Sequence, residues 1–327
     1  MAGLEYQASK SVTSALKNTI INQSTNFDAI NWADVKKTKK EVSKTKQQLY
    51  ENNLRQIISS DETTQSLKRA MELASEKGAS MWLVTAPNKD HNFFLNKQEF
   101  RDALCLRYNW AVKGAPSICA CGQANDIDHC LTCKKGGYVI MRHNALRNAE
   151  AMLLKEVCHD VKIEPALIPI EGEQLYRSTA TQDNAKLDIS ARGVWSQMER
   201  VFFDVRVTHP NTQSNCTKSL NQIYNDQERE KKRKYNERVI EVEKATFVPL
   251  IFTTTGGMGP ECQRFNKRLA HLIANKRNEE YSDVISYIRK KLRFALLKAT
   301  LIALRGFRGK KEYHRSVDLA EVAYNLV

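Results

Sequence analysis

Residues 186–191, KLDISA, and 200–208, RVFFDVRVT, are the two runs whose reading decides the fold. In the second, Val201, Phe203, Val205 and Val207 alternate with Phe202, Asp204, Arg206 and Thr208. That is the period of a β-strand with one apolar face and one face carrying Asp204 and Arg206. In the first, Leu187 and Ile189 take the buried face, while Lys186, Asp188 and Ser190 face the other way. With residues 192–197 as the connection, the strands form an antiparallel hairpin that sets Asp188 near Asp204. Directly opposed residues lie about 5 Å apart, where like charges repel unless something positive sits between them. A divalent metal is one solution, since Mg²⁺ takes one or two carboxylates plus waters and leaves room for a phosphate. There it activates water and neutralises charge developing on the phosphorus oxygens. Two solvated carboxylates paired with Lys186 and Arg206 are the alternative.

Outward from the hairpin, residues 144–157 read as an amphipathic helix with Leu146, Ala149, Leu153, Leu154 and Val157 on one side. A short extended piece, 161–165, carries Glu164, and a polar loop over 171–184 includes Asp183, read as solvated. Residues 220–242 form a long charged helix, 245–255 an apolar strand ending at Gly256-Gly257, and 261–278 and 281–305 two further helices. This order predicts an α/β core with a small, mostly non-parallel sheet. Toward the N-terminus the chain is polar and weakly helical, with 36–56 an exposed helix or flexible arm. The spacing of Leu67, Ala70, Met71 and Leu73 predicts a helix stopped by Gly78, and 93–108 a second with Phe100, Leu104 and Cys105 inward.

Four of the eight cysteines lie within residues 119–133. Cys119-Ala-Cys121, His129 and Cys133 supply four soft ligands in two pairs, the donor set of a tetrahedral Zn²⁺ site, with Cys130 as a possible substitute ligand. Pro116 before it and Gly136-Gly137 after it bracket a compact loop, and Cys121-Gly122 fits a tight turn. With four ligand positions filled, the site reads as structural rather than catalytic.

The 327 residues predict about two domains at roughly 150 residues each. Lysine and arginine number 51 against 37 acidic residues, a formal charge of +14, which points to a polyanionic partner, usually nucleic acid. An apolar content of 42% excludes wholesale disorder. No apolar run approaches the roughly 20 residues of a membrane helix, and the opening MAGLEYQASK lacks the apolar segment of a secretory signal. A soluble intracellular chain is expected, with cysteines that are not a disulfide framework. Residues 264–311 hold fourteen basic residues against Glu279, Glu280 and Asp283. Ile285, Ile288, Leu292, Ala295, Leu296 and Ala299 make an apolar stripe on the last helix, leaving Arg289, Lys290 and Arg293 for phosphate contact. Residues 305–311 read as a flexible basic tail.

Taken together, CACGQANDIDHCLTC, Arg142-His143-Asn144, Leu187-Asp188, Asp204-Val205-Arg206, the helix segment with Lys231, Lys232 and Tyr235, and the strand FVPLIFTTTGG occur in the order of a known domain. Over about residues 115–260 the chain resembles the restriction-like endonuclease domain of site-specific non-LTR retrotransposons, a zinc knuckle followed by a PD-(D/E)xK core. It also resembles standalone reverse-transcriptase-derived proteins of invertebrate genomes. The resemblance implies a restriction-endonuclease-like core over 138–311, a knuckle over 111–137, a helical, partly flexible region over 1–110 and a tail over 312–327. It further implies a divalent-metal-dependent DNA endonuclease of the nucleus, using structural Zn²⁺ and catalytic Mg²⁺ or Mn²⁺ on DNA, with RNA as another partner. Asp188 and Asp204 would be the metal ligands, Glu164 an accessory acid and Glu150 a further one, with Arg142 and His143 at the nucleic acid. His143 also reads as a hydrogen-bonded structural residue. Two departures stand out. Leu187 replaces a proline that shapes backbone rather than binding metal, and Arg206 occupies the catalytic lysine position. Arginine clamps a phosphate but is a poor proton relay at neutral pH, so the alternative is a lysine from the next helix, Lys231 or Lys232. The competing reading is a catalytically degenerate, zinc-containing DNA- or RNA-binding protein.

Overall fold

The computed structural model describes residues 64–168 and 185–306, together with part of 42–60. The loop over 171–184 with Asp183, the tail beyond 306 and about half of the arm over 36–56 lie outside the described residues. The chain divides into two units, Met1–Lys68 and Arg69–Val327, and the site lies in the second.

The elements of that region are α1 (Gln65–Ser75), α2 (Met81–Val84), α3 (Lys97–Tyr108), α4 (Ile127–Thr132), α5 (Tyr138–Val157), β1 (His159–Ile163), β2 (Ile189–Arg192), β3 (Arg200–Thr208), α6 (Leu220–Glu241), β4 (Thr246–Thr253), α7 (Pro260–Arg277) and α8 (Tyr281–Arg305). The four strands lie in the order β1-β2-β3-β4, antiparallel except for the parallel pair β3 and β4. The mixed α/β class and the small sheet therefore agree with the expectation. β4 carries Pro249 opposite Asp204. Proline cannot donate to a ladder, and β4 sits at the edge of the sheet, where that donor is not needed.

Alternation sorts the side chains of β3 between two cores. Val201, Phe203 and Val205, with Ile189 and Ala191 of β2 and Val248, Leu250 and Phe252 of β4, pack against α5, α7 and the first half of α8. Phe203 meets Phe265 of α7 with ring centroids 4.6 Å apart. Each such fully buried side chain contributes about 1.5–3 kcal/mol. On the opposite face Phe202 and Phe247 lie beneath Tyr235 and Val239 of α6. Leu187 joins this second core rather than that of Ile189, because the chain bends at Asp188 and β2 begins only at Ile189. The expected shared face of Leu187 and Ile189 is corrected accordingly.

The helix expected over 144–157 begins earlier, at Tyr138, directly after Gly137, whose φ of 73° ends the preceding turn. Helix α6 starts at a reciprocal cap between Ser219 and Gln222, and α7 with Pro260 in its first turn. Phe100, expected inward, is 43% exposed and touches Trp82 edge-on.

Helix α8 serves two cores. Val284, Ile285, Ile288, Leu292 and Leu296 belong to the sheet core, and Phe294, Leu297, Leu301 and Leu304 to another built with Trp82, Phe93, Leu106, Ile127 and Leu131. A helix wrapped in this way has little face left for charge. Arg293, expected at a phosphate, is 5% exposed, and its Nε donates to the Ala79 carbonyl at 2.9 Å. That assignment is corrected: burial pushes its pKa down to about 9, and its role is packing. Lys298 is likewise buried against Asn92 and the Phe94 ring. Arg305 forms an ion pair with Asp102. Arg289 and Lys290 remain half-buried. Among the described residues, no helix is long and apolar enough to cross a membrane.

Candidate functional site

Asp204 alternates with the apolar residues of β3 and so faces α6, where Lys231 Nζ lies 2.6 Å from its Oδ2. The β2–β3 register pairs Ile189 with Phe203, so its extension sets Asp188 opposite Asp204. Because the ladder stops at Ile189, the Asp188 carboxylate takes the place of the next strand carbonyl, accepting the Val205 N–H at 2.6 Å. The same Oδ2 lies 3.1 Å from His143 Nε2, presented by α5. Four side chains from four parts of the chain thus meet just before β2 begins: His143, Asp188, Asp204 and Lys231.

The electrostatics of this corner follow from burial. Desolvation lifts the Asp204 pKa, the Asp188 charge adds to the lift, and Lys231 and His143 oppose it. Desolvation disfavours the imidazolium of His143, but the hydrogen bond and charge of Asp188, with Asn144 and the Asp204 charge, together outweigh it and raise the His143 pKa. Asp204 Oδ2 is buried and, apart from the ion pair, has no hydrogen-bond partner. The Lys231 ammonium is thus the partner that the Asp204 carboxylate has in this corner.

The remaining expected residues lie elsewhere. Arg206 pairs with Glu230 at 2.9 Å on the exposed side of α6, and Lys232 turns to Glu261 at 2.7 Å. Glu164 has a φ of 52° and a half-exposed side chain that pairs with Arg147. Glu150 is fully enclosed between α5 and α7 and accepts from Asn266 Nδ2 at 3.2 Å. Arg142 is 2% exposed and donates to the Leu131 carbonyl at 2.9 Å. Its assignment to nucleic acid is corrected, since burial lowers its pKa to about 10 and its bond ties α5 to α4.

The cysteine–histidine cluster is compact. The ligating atoms of Cys119, Cys121, His129 and Cys133 all lie within 4.8 Å of one another. Tetrahedral Zn²⁺ with Zn–S near 2.3 Å requires sulfurs about 3.8 Å apart. Cys119 and Cys133 sulfurs are 3.8 Å apart, Cys121 and Cys133 4.0 Å, and Cys121 Sγ lies 3.3 Å from His129 Nε2. The four residues can hold a metal ion such as zinc. Cys130 is not among them: it is buried in the core beside Leu131 and donates to Asn125 Oδ1. Gly122, with φ 89°, closes the turn by donating to the Cys119 carbonyl at 2.8 Å, and Asp126 caps α4 on the His129 N–H at 2.7 Å. Although desolvation works against the thiolate, hydrogen bonds from the Cys121 backbone, His129 and the neighbouring thiols bring the Cys119 pKa down to about 6. Among the described residues, this is the group of three or more His, Cys, Asp or Glu side chains with ligating atoms close enough for one ion.

One connection had no signal in the sequence. His209, buried at the end of β3, bridges Asp128 of α4 at 2.9 Å and Thr254 after β4 at 2.8 Å. It fastens the cluster to the sheet, and residues 81 positions apart leave no local pattern by which to find it.

No protein-family model matches the chain, and no curated protein matches it closely enough to indicate a relationship.

Proposed function

We propose that the protein is a divalent-metal-dependent DNA endonuclease of retrotransposon origin, acting in the nucleus, with Asp188 and Asp204 as the ligands of Mg²⁺ or Mn²⁺. One observation carries the reading: two carboxylates from adjacent strands meet a lysine from the next helix and a histidine from the preceding one. A divalent ion held there supplies charge neutralisation at the phosphoryl oxygens and an acidified water. Lys231, rather than Arg206 or Lys232, is the cation within reach, and its ammonium would stabilise negative charge on the phosphate. His143 holds the Asp188 carboxylate in place. Arg206, paired with Glu230, has no part in this reading.

Nicking of supercoiled plasmid with Mg²⁺ or Mn²⁺ tests this. Asp204→Asn and Lys231→Met are expected to slow cleavage on the order of 100-fold or more, and Lys232→Met to leave it within a few-fold. Cleavage by Asp204→Asn at the wild-type rate would overturn the assignment. A second reading, a zinc-containing DNA- or RNA-binding protein without catalysis, is favoured by the Asp204–Lys231 ion pair, which already neutralises one carboxylate. It predicts salt-sensitive binding with no cleavage by either ion.

A further inference from the structure

Helix α8 ends against a groove of about 380 Å³, whose lining includes Trp110, Val112, Pro116, Ile127 and, from α8 itself, Leu304. The helix end is fastened there. Arg305 pairs with Asp102, and its Nη2 donates to the Lys113 carbonyl at 3.3 Å, within the 110–117 stretch that forms one wall. At Gly306 the backbone becomes extended (φ −65°, ψ 137°), so the chain leaves the helix two residues beyond a side chain of the groove. No cation lines the groove. Its one acid, Asp126, is engaged with the His129 N–H as the cap of α4. Trp110 is 55% exposed. This lining suits apolar side chains rather than an ion or a phosphate.

The sequence beyond Gly306 holds a segment of matching character. Residues 317–327, VDLAEVAYNLV, set Leu319, Val322, Ala323 and Leu326 at the i, i+3, i+4, i+7 spacing of one helix face. Asp318, Glu321 and Asn325 fall on the opposite face, so the apolar face can enter a groove while the charges stay in water. We propose that residues 317–327 dock this apolar face in the groove beside Trp110, a helix-in-groove contact made within one molecule. Residues 307–318 reach about 40 Å when extended, ample for a segment tethered at the groove's own wall. That tether selects the occupant. A short tether gives the segment an effective concentration on the order of 1 mM, far above that of a second copy in dilute solution. Even a contact with a Kd of about 0.1 mM is then made about ten times as often as not. The inference does not depend on the proposed cleavage.

The test is hydrogen–deuterium exchange of the full-length, zinc-loaded protein, read by mass spectrometry over residues 109–118 and 317–327. The double variant Leu319→Asp, Leu326→Asp places charge on the apolar face and alters no groove residue. Amides of 317–327 are expected to exchange about tenfold more slowly in the wild type than in this variant, with 109–118 slowed in parallel. Trp110→Glu, a change at an exposed position on the groove side, should release 317–327 in the same way. A synthetic 317–327 peptide at about 1 mM should slow 109–118 in the double variant and leave the wild type unchanged. Equal exchange over 317–327 in wild type and double variant would overturn the proposal. So would slow exchange there that Trp110→Glu does not alter, because the segment would then be held elsewhere. Slow exchange that is lost on tenfold dilution would assign the groove to a second copy, and overturns the proposal as well.

Discussion

Replacing Glu150 by glutamine removes a charge that the fold has no place for. The residue is fully buried on α5 among apolar side chains of the sheet core. Its Oε1 accepts from Asn266 Nδ2 at 3.2 Å, whereas its Oε2 and the Asn266 Oδ1 have no partner. Desolvation raises its pKa to about 8 against the small opposing effect of Asn266. In the unfolded chain a glutamate titrates near 4.3. Between those two values the folded chain keeps a proton that the unfolded chain releases, so stability falls as pH rises through this window. At about 1.4 kcal/mol per pH unit the loss reaches about 5 kcal/mol by pH 8, and roughly 3–4 kcal/mol at pH 7. Glu150→Gln is neutral at every pH and brings an N–H donor for Asn266 Oδ1. Urea unfolding of both proteins is therefore expected to show no pH-dependent separation at or below about pH 4. The two should separate steadily above it, with the variant more stable by several kcal/mol near pH 8. A stability difference that stays constant over this range would refute the argument, because it would mean that the carboxyl is ionised inside the fold.

Removing the metal, by chelation or by Cys133→Ser, should release zinc measurable by atomic absorption. It should lower the melting temperature by about 10 °C, because metal-binding free energy here is folding free energy for α4 and the core around Leu131. An unchanged melting temperature would count against a structural site. At Gly256, φ is 102° and an added Cβ would lie 2.6 Å from Arg293 Cδ, so Gly256→Ala should cost about 2–3 kcal/mol by denaturant titration. A loss below about 0.5 kcal/mol would show that Arg293 is free to move. For nucleic-acid affinity against salt, Arg289→Ala should reduce the slope of log K on log salt by about 1. Arg293→Met should instead reduce stability with little change of slope, since Arg293 is buried on Ala79. A lower slope for Arg293→Met would return that residue to the surface.

The resemblance to a restriction-like endonuclease enters the proposed function as an expectation about chemistry, and the residues that would perform it follow from contacts. Of the three cations considered for the site, Arg206 occupies the motif position, yet its partner is Glu230, and Lys232 turns to Glu261. Lys231 meets Asp204 because the two flank the same core of Phe202, Tyr235 and Val239. The basic character of residues 264–311 is real in sequence but partly consumed inside the fold. Arg293 and Lys298 are buried, Arg305 pairs with Asp102, and Arg277 pairs with Glu156.

What composition and periodicity determined unaided was local: the alternation that makes β3 a strand, the spans of α6 and α8, and the short-spaced ligands of the cysteine–histidine cluster. These depend on neighbours within a few residues, where a period of 2 or 3.6 and the reach of a tight turn are set by the backbone itself. Tertiary structure alone decided that β2 starts only after Asp188, that His143 and Lys231 converge on the acidic pair, and that α8 is enclosed by two cores. Those outcomes join residues tens of positions apart, and a charged side chain looks the same in sequence whether packing leaves it in water or closes over it.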